Sequence, residues 1–401
     1  MTPIETTRST GPEDQIKERV KGQAGRRGDD ALTLSHRIHA HPELAFEEHQ
    51  AAGWLGDLLE RQGFAVQIGV AGLETALVAS LGSGELVVGI CAEYDALPQI
   101  GHACGHNVIA ASAALAGMAL ASELDALGLT LKIFGTPAEE RGGGKVIMLR
   151  EGVFDGLHAA MMVHPTPHDL IRPTITALAQ VDVEFLGETP QAMSPELGRD
   201  AGAAATLLQV AVGLLRQSIR STDRISGVVR SAGHSPNVLP DRAELTYSLR
   251  AVTDDRLSEL VEQFRRCAEG AALATGTQVR VTEPHPRYAA LRHHERLGEL
   301  YQANAERLGR EFHFVGTADT ERSAATDFGN LSSIVPAIHP LVGVDAEGAS
   351  NHQAHFARHC GLASGDAAVL DAGLAMAWTV VDISTDPGLR RELLSHPGGS
   401  R

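Results

Sequence analysis

The chain is short of cysteine, of aromatic side chains and of positive charge, and each shortage narrows what it can be. Its four cysteines, Cys91, Cys104, Cys267 and Cys360, have no disulfide-framework spacing, which fits a reducing cytoplasm. A net charge of -16 argues against nucleic acid or an anionic membrane as partner. No uninterrupted apolar run has the length of a membrane span. Met1 to Gly28 is polar and charged, without the apolar core of a secretory signal. Aromatic residues make up 4% of the chain against 42 glycines, which predicts cores packed from small residues and excludes nothing about function.

What is present describes a globular protein with ample core: 43% hydrophobic and 21% charged residues. At 401 residues two domains are expected. Residues 13–63 carry apolar positions at helical period, broken by His41-Pro42 and Gly63, and predict two or three helices. Apolar runs at 65–70, 76–81 and 86–91 read as strands. An alanine-rich helix follows at 107–128, then a buried strand from Leu129 to Phe134. The β-α-β rhythm runs on to His164 and predicts an α/β layer whose central sheet is mainly parallel and flanked by helices. Between 176 and 290 the order becomes strand, helix, strand, strand, helix, strand, which is the ferredoxin-like α+β pattern, inserted into the larger domain. The expected boundaries are therefore 1–175, 176–290 and 291–401, with the first and last segments forming one domain.

Chemistry concentrates in His102-Ala103-Cys104-Gly105-His106, directly after the apolar run 86–90. A thiolate and an imidazole two residues apart can both reach one soft-to-borderline divalent ion. Glu139 and Glu140 follow the strand ending at Phe134; one can bind a metal while its neighbour serves as general base. The glycine run after them lacks phosphate-loop spacing. His164 ends an apolar strand, where sites of open α/β sheets assemble. His352 and His355 share a polar loop, and Asp95 follows another strand, where it can orient a ligand histidine. Taken singly, each has an ordinary structural reading: solvated glutamates, a core histidine, a turn aspartate.

Taken in order, these blocks resemble the aminoacylase/carboxypeptidase metallopeptidases of clan MH. The similarity is strongest to the branch of p-aminobenzoyl-glutamate hydrolases, hippurate-type amidohydrolases and β-alanyl dipeptidases. It rests on His41-Pro42-Glu43-Leu44, Glu93 to Pro98, His102 to His106, Thr136 to Lys145, Arg150 to Phe154, Pro236 to Asp241, Thr326 to Asn330 and Asn351-His352. The resemblance implies that Cys104 bridges two divalent metal ions and that His106, Glu140, His164 and His352 complete the ligand set. His352 is preferred to His355 because it lies four residues before Phe356. Glu139 matches the general base and Asp95 the aspartate that steadies the metal site, while His102 supports the loop. The inserted segment matches a lid and dimerisation domain, whose Asn237 and Arg250 grip a substrate carboxylate.

One position departs from the family pattern. Gln191 stands where the lid normally offers a histidine to the tetrahedral oxyanion, and losing one such donor costs about a hundred- to a thousandfold in turnover. His234, near Asn237, is a candidate substitute. The expected function is metal-dependent hydrolysis of an amide bond in an N-acyl amino acid, an aminobenzoyl-glutamate-like compound or a dipeptide. Zinc or manganese are the expected metals, with cobalt as an alternative. The expected assembly is a homodimer through the lid, acting on a small carboxylate-bearing molecule. Three rivals remain: a silent metal-binding protein for such ligands, a hydrolase of an unusual C–N bond, and a thiol hydrolase using Cys104.

Overall fold

A computed structural model describes residues 11–189, 194–312 and 324–396. In chain order the elements are α1 (Pro12–Ala40), α2 (His49–Glu60), β1 (Ala65–Ile68), β2 (Leu77–Leu81), β3 (Leu86–Ala92), α3 (His106–Leu120), α4 (Leu124–Leu127), β4 (Leu129–Gly135) and α5 (Gly144–Arg150). They continue as β5 (Ala159–Met161), β6 (His164–Thr166), β7 (Ala177–Leu186), α6 (Ala201–Leu215), β8 (Arg224–Ser231), β9 (Arg242–Ala251), α7 (Asp254–Thr275) and β10 (Gln278–Thr282). The chain closes with α8 (Glu295–Glu306), α9 (Phe328–Ser332), β11 (Ala337–Ile338), β12 (Leu341–Gly343), α10 (Ala354–Cys360), α11 (Ala363–Thr385) and α12 (Pro387–Ser395). These form two compact units. The first runs to Pro173 and resumes at Arg292 and at Leu331; the second is Thr174–Leu291 with the described residues up to Asn330.

The first unit is built on a sheet of order β1-β2-β4-β3-β5-β11, parallel from β4 through β11 and antiparallel at β1 and β2. β3 is buried along nearly its whole length, as befits a parallel strand covered on both faces. Helix α1 begins with proline and acidic residues in its first turn and ends with basic ones, which suits both its backbone geometry and its dipole. Its Val20, Ala24, Ala31, Leu34 and Ile38 form one buried stripe. Every residue of α3 is buried, and small side chains make this possible. A Cβ at Gly373 of α11 would lie 2.9 Å from Leu115 Cβ, so glycine sets how closely α11 approaches α3. Helix α11 has the length and apolar composition of a membrane span. Uninterrupted runs do not reveal it, because Asp366, Asp371 and Asp382 punctuate it; here it is a mostly buried core helix against α1, α3 and α8.

The second unit is an antiparallel sheet of order β10-β7-β9-β8, the ferredoxin-like arrangement. β7 alternates buried and half-buried residues along its length, the period-2 pattern of a sheet covered on one face. Side-chain caps fix both helix starts: Asp200 accepts from Gly202 and Ala203 N–H, and Thr253 accepts from Arg256 N–H. Residues 324–330 return to this unit through Thr176 N–H to Ala324 O and Ala289 N–H to Asn330 Oδ1.

Lys17 is the buried charge that ties α1 to α11 and α8. It pairs with Asp382 and donates to Asn304 Oδ1, while Asn304 Nδ2 donates to Asp382 Oδ2. Removing one member of such a network strands the other charge in the core. Lys17→Met is therefore expected to lower stability by about 3–5 kcal/mol, read as a lower urea midpoint; an unchanged midpoint would contradict this account.

Candidate metal centre and active site

The candidate site lies wholly within the first unit, at the carboxyl ends of its parallel strands. β3 and β4 end in register, Ala92 beside Gly135, and Thr136 N–H donates to Ala92 O. The segments that leave them, Glu93 to Asp95 and Pro137 to Glu140, therefore emerge side by side. The turn after β4 is tight: Ala138 adopts a φ of 60°, a region that costs an L-residue energy. Glu48 holds that turn. Its Oε1 accepts from Ala138 N–H and Phe46 N–H, both at 2.9 Å, and its Oε2 accepts from Thr75 Oγ1 at 2.8 Å. Burial, and then the charge of Asp95, push Glu48 up to about 7.

Asp95 divides its two oxygens between two neighbours. Oδ1 accepts from His106 Nδ1 at 2.8 Å, and Oδ2 accepts from the Glu140 N–H at 2.9 Å. Burial opposes its charge, yet His106 holds its carboxyl below the usual range. With Nδ1 donating to Asp95, His106 turns Nε2 toward Glu93; burial opposes its charge, yet Asp95 holds the imidazole well above its usual range. His164 is set in the same tautomer, its Nδ1 donating to Pro165 O at 2.9 Å. Burial pushes His164 down to about 4, so it is a neutral imidazole at pH 7. Gly105 sits between Cys104 and His106 at φ 77°, where a Cβ would meet Pro165 Cγ at 2.4 Å; only glycine fits between the two donors.

Cys104 Sγ is the centre of the cluster. It lies 3.4 Å from His164 Nε2 and 3.5 Å from His352 Nε2. His352 Nε2 is 3.6 Å from Glu140 Oε1. The His352 N–H donates to Ala103 O at 2.8 Å, fastening its loop to the one that carries Cys104. Two donor groups result, Cys104 with His106 and His164, and Cys104 with Glu140 and His352. Within each, the donor atoms lie within 4.8 Å of one another. They share one sulfur, the arrangement two adjacent cations require.

Electrostatics tests whether cations fit. Glu93, Asp95, Glu139 and Cys104 are buried together, with Glu140 nearly so. Lys145, paired with Glu93, is the buried ammonium among them. Burial, then the charge of Glu140, pushes the Cys104 thiol well above its usual range, and burial likewise raises Glu140. Glu93 Oε2, His106 Nε2 and Glu140 Oε1 are buried without a hydrogen bond, a costly state for polar atoms. Two divalent cations would satisfy these atoms and lower the cost of ionising the thiol. The donors present therefore fit the group.

The structure thus brings together Cys104, His106, Glu139, Glu140, His164 and His352, with Asp95 behind them. Asp95 acts through His106 and Glu140. Glu93 was missed at the sequence level, although it lies 3.3 Å from His106 Nε2 and shares a donor group with His106 and Glu139. Its signal was the alternation Glu93-Tyr94-Asp95, which places two carboxylates on one side of an extended segment. His102 stays outside the donor groups, buried against His39 with ring centroids 6.3 Å apart. Asn237 and Arg250 belong to the second unit and are not brought together. Asn237 lies in the β8–β9 connection, before Arg242, whereas Arg250 is the penultimate residue of β9; at about 3.4 Å per residue, Arg242 and Arg250 stand about 27 Å apart along the strand. His234 is exposed in the same connection. Gln191 lies outside the described residues.

The chain is similar to known proteins. The sequence profile of Peptidase family M20/M25/M40 matches residues 89–369. The mouse Xaa-Arg dipeptidase is 34% identical over 93% of this chain and 90% of its own. A p-aminobenzoyl-glutamate hydrolase polypeptide of Escherichia coli is 35% identical over 61% of this chain and 56% of its own. A solved dinuclear metal-binding M20 peptidase from Bacillus subtilis superposes with a TM-score of 0.69 at 22% identity, covering 90% of this chain and 99% of that one. The chain belongs to peptidase family M20/M25/M40 and is a hydrolase of amide bonds that depends on divalent metal.

Proposed function

We propose that the chain cleaves the amide bond of a small substrate bearing a terminal carboxylate, with Glu139 as general base. In this reading Cys104, His106, Glu140, His164 and His352 hold two divalent cations, zinc or manganese, with cobalt as an alternative. The observation that carries it is the pair of donor groups sharing the buried Cys104 Sγ beside Glu139. When bound, the cations supply Lewis acidity that polarises the scissile carbonyl and makes water a nucleophile near neutral pH. Glu139 sits on the turn that Glu48 braces, next to Ala138. Its carboxylate takes a proton from the attacking water and returns it to the leaving amine. Asp95 fixes the His106 ring and the Glu140 backbone, so the donors are set before substrate arrives.

Arg250 offers paired donors to a carboxylate and Asn237 a neutral amide, with Gln191 as the oxyanion donor in place of histidine. A homodimer through the second unit is supported by its exposed apolar side chains: Leu207, Val210 and Leu214 on α6, Val228 and Val229 on β8. Cys91, Cys104, Cys267 and Cys360 are all free thiols, which supports residence in a reducing cytoplasm.

Among substrates, dipeptides ending in a basic residue fit best. The mouse and human relatives are Xaa-Arg dipeptidases aligned over most of this chain. A net charge of -16 attracts a cationic substrate and repels an acyl-glutamate.

Glu139→Gln is expected to keep the metal content of the wild type while losing turnover by about 10²–10⁴-fold; near-normal hydrolysis would remove Glu139 from the role. Treatment with EDTA is expected to abolish hydrolysis, with recovery on adding zinc, manganese or cobalt. Activity that survives chelation would instead favour Cys104 as a thiol nucleophile. On metal-loaded protein, kcat/KM for an arginine-ended dipeptide is expected to exceed that for p-aminobenzoyl-glutamate. The reverse order would reject the basic-dipeptide reading and leave amide hydrolysis standing.

A further inference from the structure

Helix α10 and the loop before it carry a second donor cluster, which the reaction does not use. His355 and His359 are one helical turn apart, so their side chains share a face, with ring centroids 4.8 Å apart. Glu347 reaches the same point from the β12–α10 loop. Its Oε2 lies 3.2 Å from His355 Nε2 and 3.9 Å from His359 Nε2. All three donor atoms fall within 4.8 Å of one another.

The chemistry of this set is selective. Two imidazoles at i and i+4 with one carboxylate suit zinc, leaving one tetrahedral position for water. Zinc–ligand bonds of about 2.0–2.1 Å imply ligand atoms about 3.3 Å apart, within about 0.6 Å of both spacings from Glu347. Calcium and magnesium demand oxygen donors and would be poorly served. The backbone is shaped for the contact as well. Glu347 adopts a φ of 53°, which costs a non-glycine residue energy, and His359 is held with its side chain 13% exposed.

We propose that Glu347, His355 and His359 form a peripheral site for a divalent cation of the zinc class, separate from the pair held around Cys104. Such an ion would tie the chain together on both sides of His352. Glu347 precedes that residue and His355 follows it, while the His352 N–H is already fastened to Ala103 O. A filled site therefore clamps the His352 loop onto α10 and contributes no group to the reaction. The proposal stands independently of the roles assigned to Cys104 and Glu139.

The test uses the full chain, stripped with chelator, dialysed, titrated with zinc chloride, and passed through gel filtration before elemental analysis. Wild type is expected to retain one zinc per chain more than His355→Ala/His359→Ala. His355 is exposed on α10 and His359 is largely covered, and circular dichroism verifies that the variant is folded. Glu347→Gln is expected to weaken zinc binding at this site on the order of 10–100-fold, at least the cost of losing an outer-shell partner. In a Cys104→Ser/His106→Ala background, zinc is still expected to raise the thermal midpoint, and adding His355→Ala/His359→Ala is expected to abolish that rise. Equal zinc content in wild type and the double histidine variant would overturn the peripheral site. Full zinc retention by Cys104→Ser/His106→Ala would count against the main metal centre and leave the peripheral site unaffected.

Discussion

Asp95 links two parts of the site that come from different strands. One of its oxygens fixes the tautomer and orientation of His106, and the other anchors the backbone of Glu140. A buried carboxylate that accepts one bond from an imidazole and one from an amide has few alternative positions. Through it, the loop after β3, the turn after β4 and the start of α3 are fastened to one another. His352 is tied to the same group through Ala103 O, and the ring of His164 is oriented by its own neighbour, Pro165 O. Preorganisation of this kind is what lets a site act without reorganising during the reaction.

The same arrangement carries an electrostatic cost. Several acidic groups are buried within a few ångströms of one another, and Lys145 balances them only in part. His106 Nε2, Glu93 Oε2 and Glu140 Oε1 are buried without a hydrogen bond. Metal binding and folding are consequently coupled, because the ions relieve a cost that the folded chain alone must bear. Glu48 shows the same pressure at a distance: burial and the charge of Asp95 raise it to about 7, although three donors serve its oxygens.

Much of this was legible in the residues. Alternating and continuous apolar runs located the strands, and the strand–helix order from 176 to 290 specified the ferredoxin-like topology. Cys104 and His106 were conspicuous because thiol and imidazole rarely crowd so closely, and Gly105 between them proved to be forced by Pro165 and Cys360. Glu93 was missed although its alternation with Asp95 placed two carboxylates on one side of the segment, because that spacing alone names no partner. Its role depends on Lys145 and His106, which only the fold brings near. The grouping of His355 with Glu347 and His359 was equally invisible, since it requires a loop to return onto a helix.

Helix α3 is buried on every side and consists largely of alanine, with His106 as its first residue. A helix this tightly enclosed leaves no neutral drift: enlarging an alanine pushes on α1, α11 or the sheet, and the displacement reaches the imidazole at its tip. Descendants of this chain are therefore free to acquire new substrates only elsewhere, through loops and through the second unit, where side chains are exposed and volume changes are tolerated. The small residues that look least informative in the composition are the ones that hold the chemistry constant while specificity diverges.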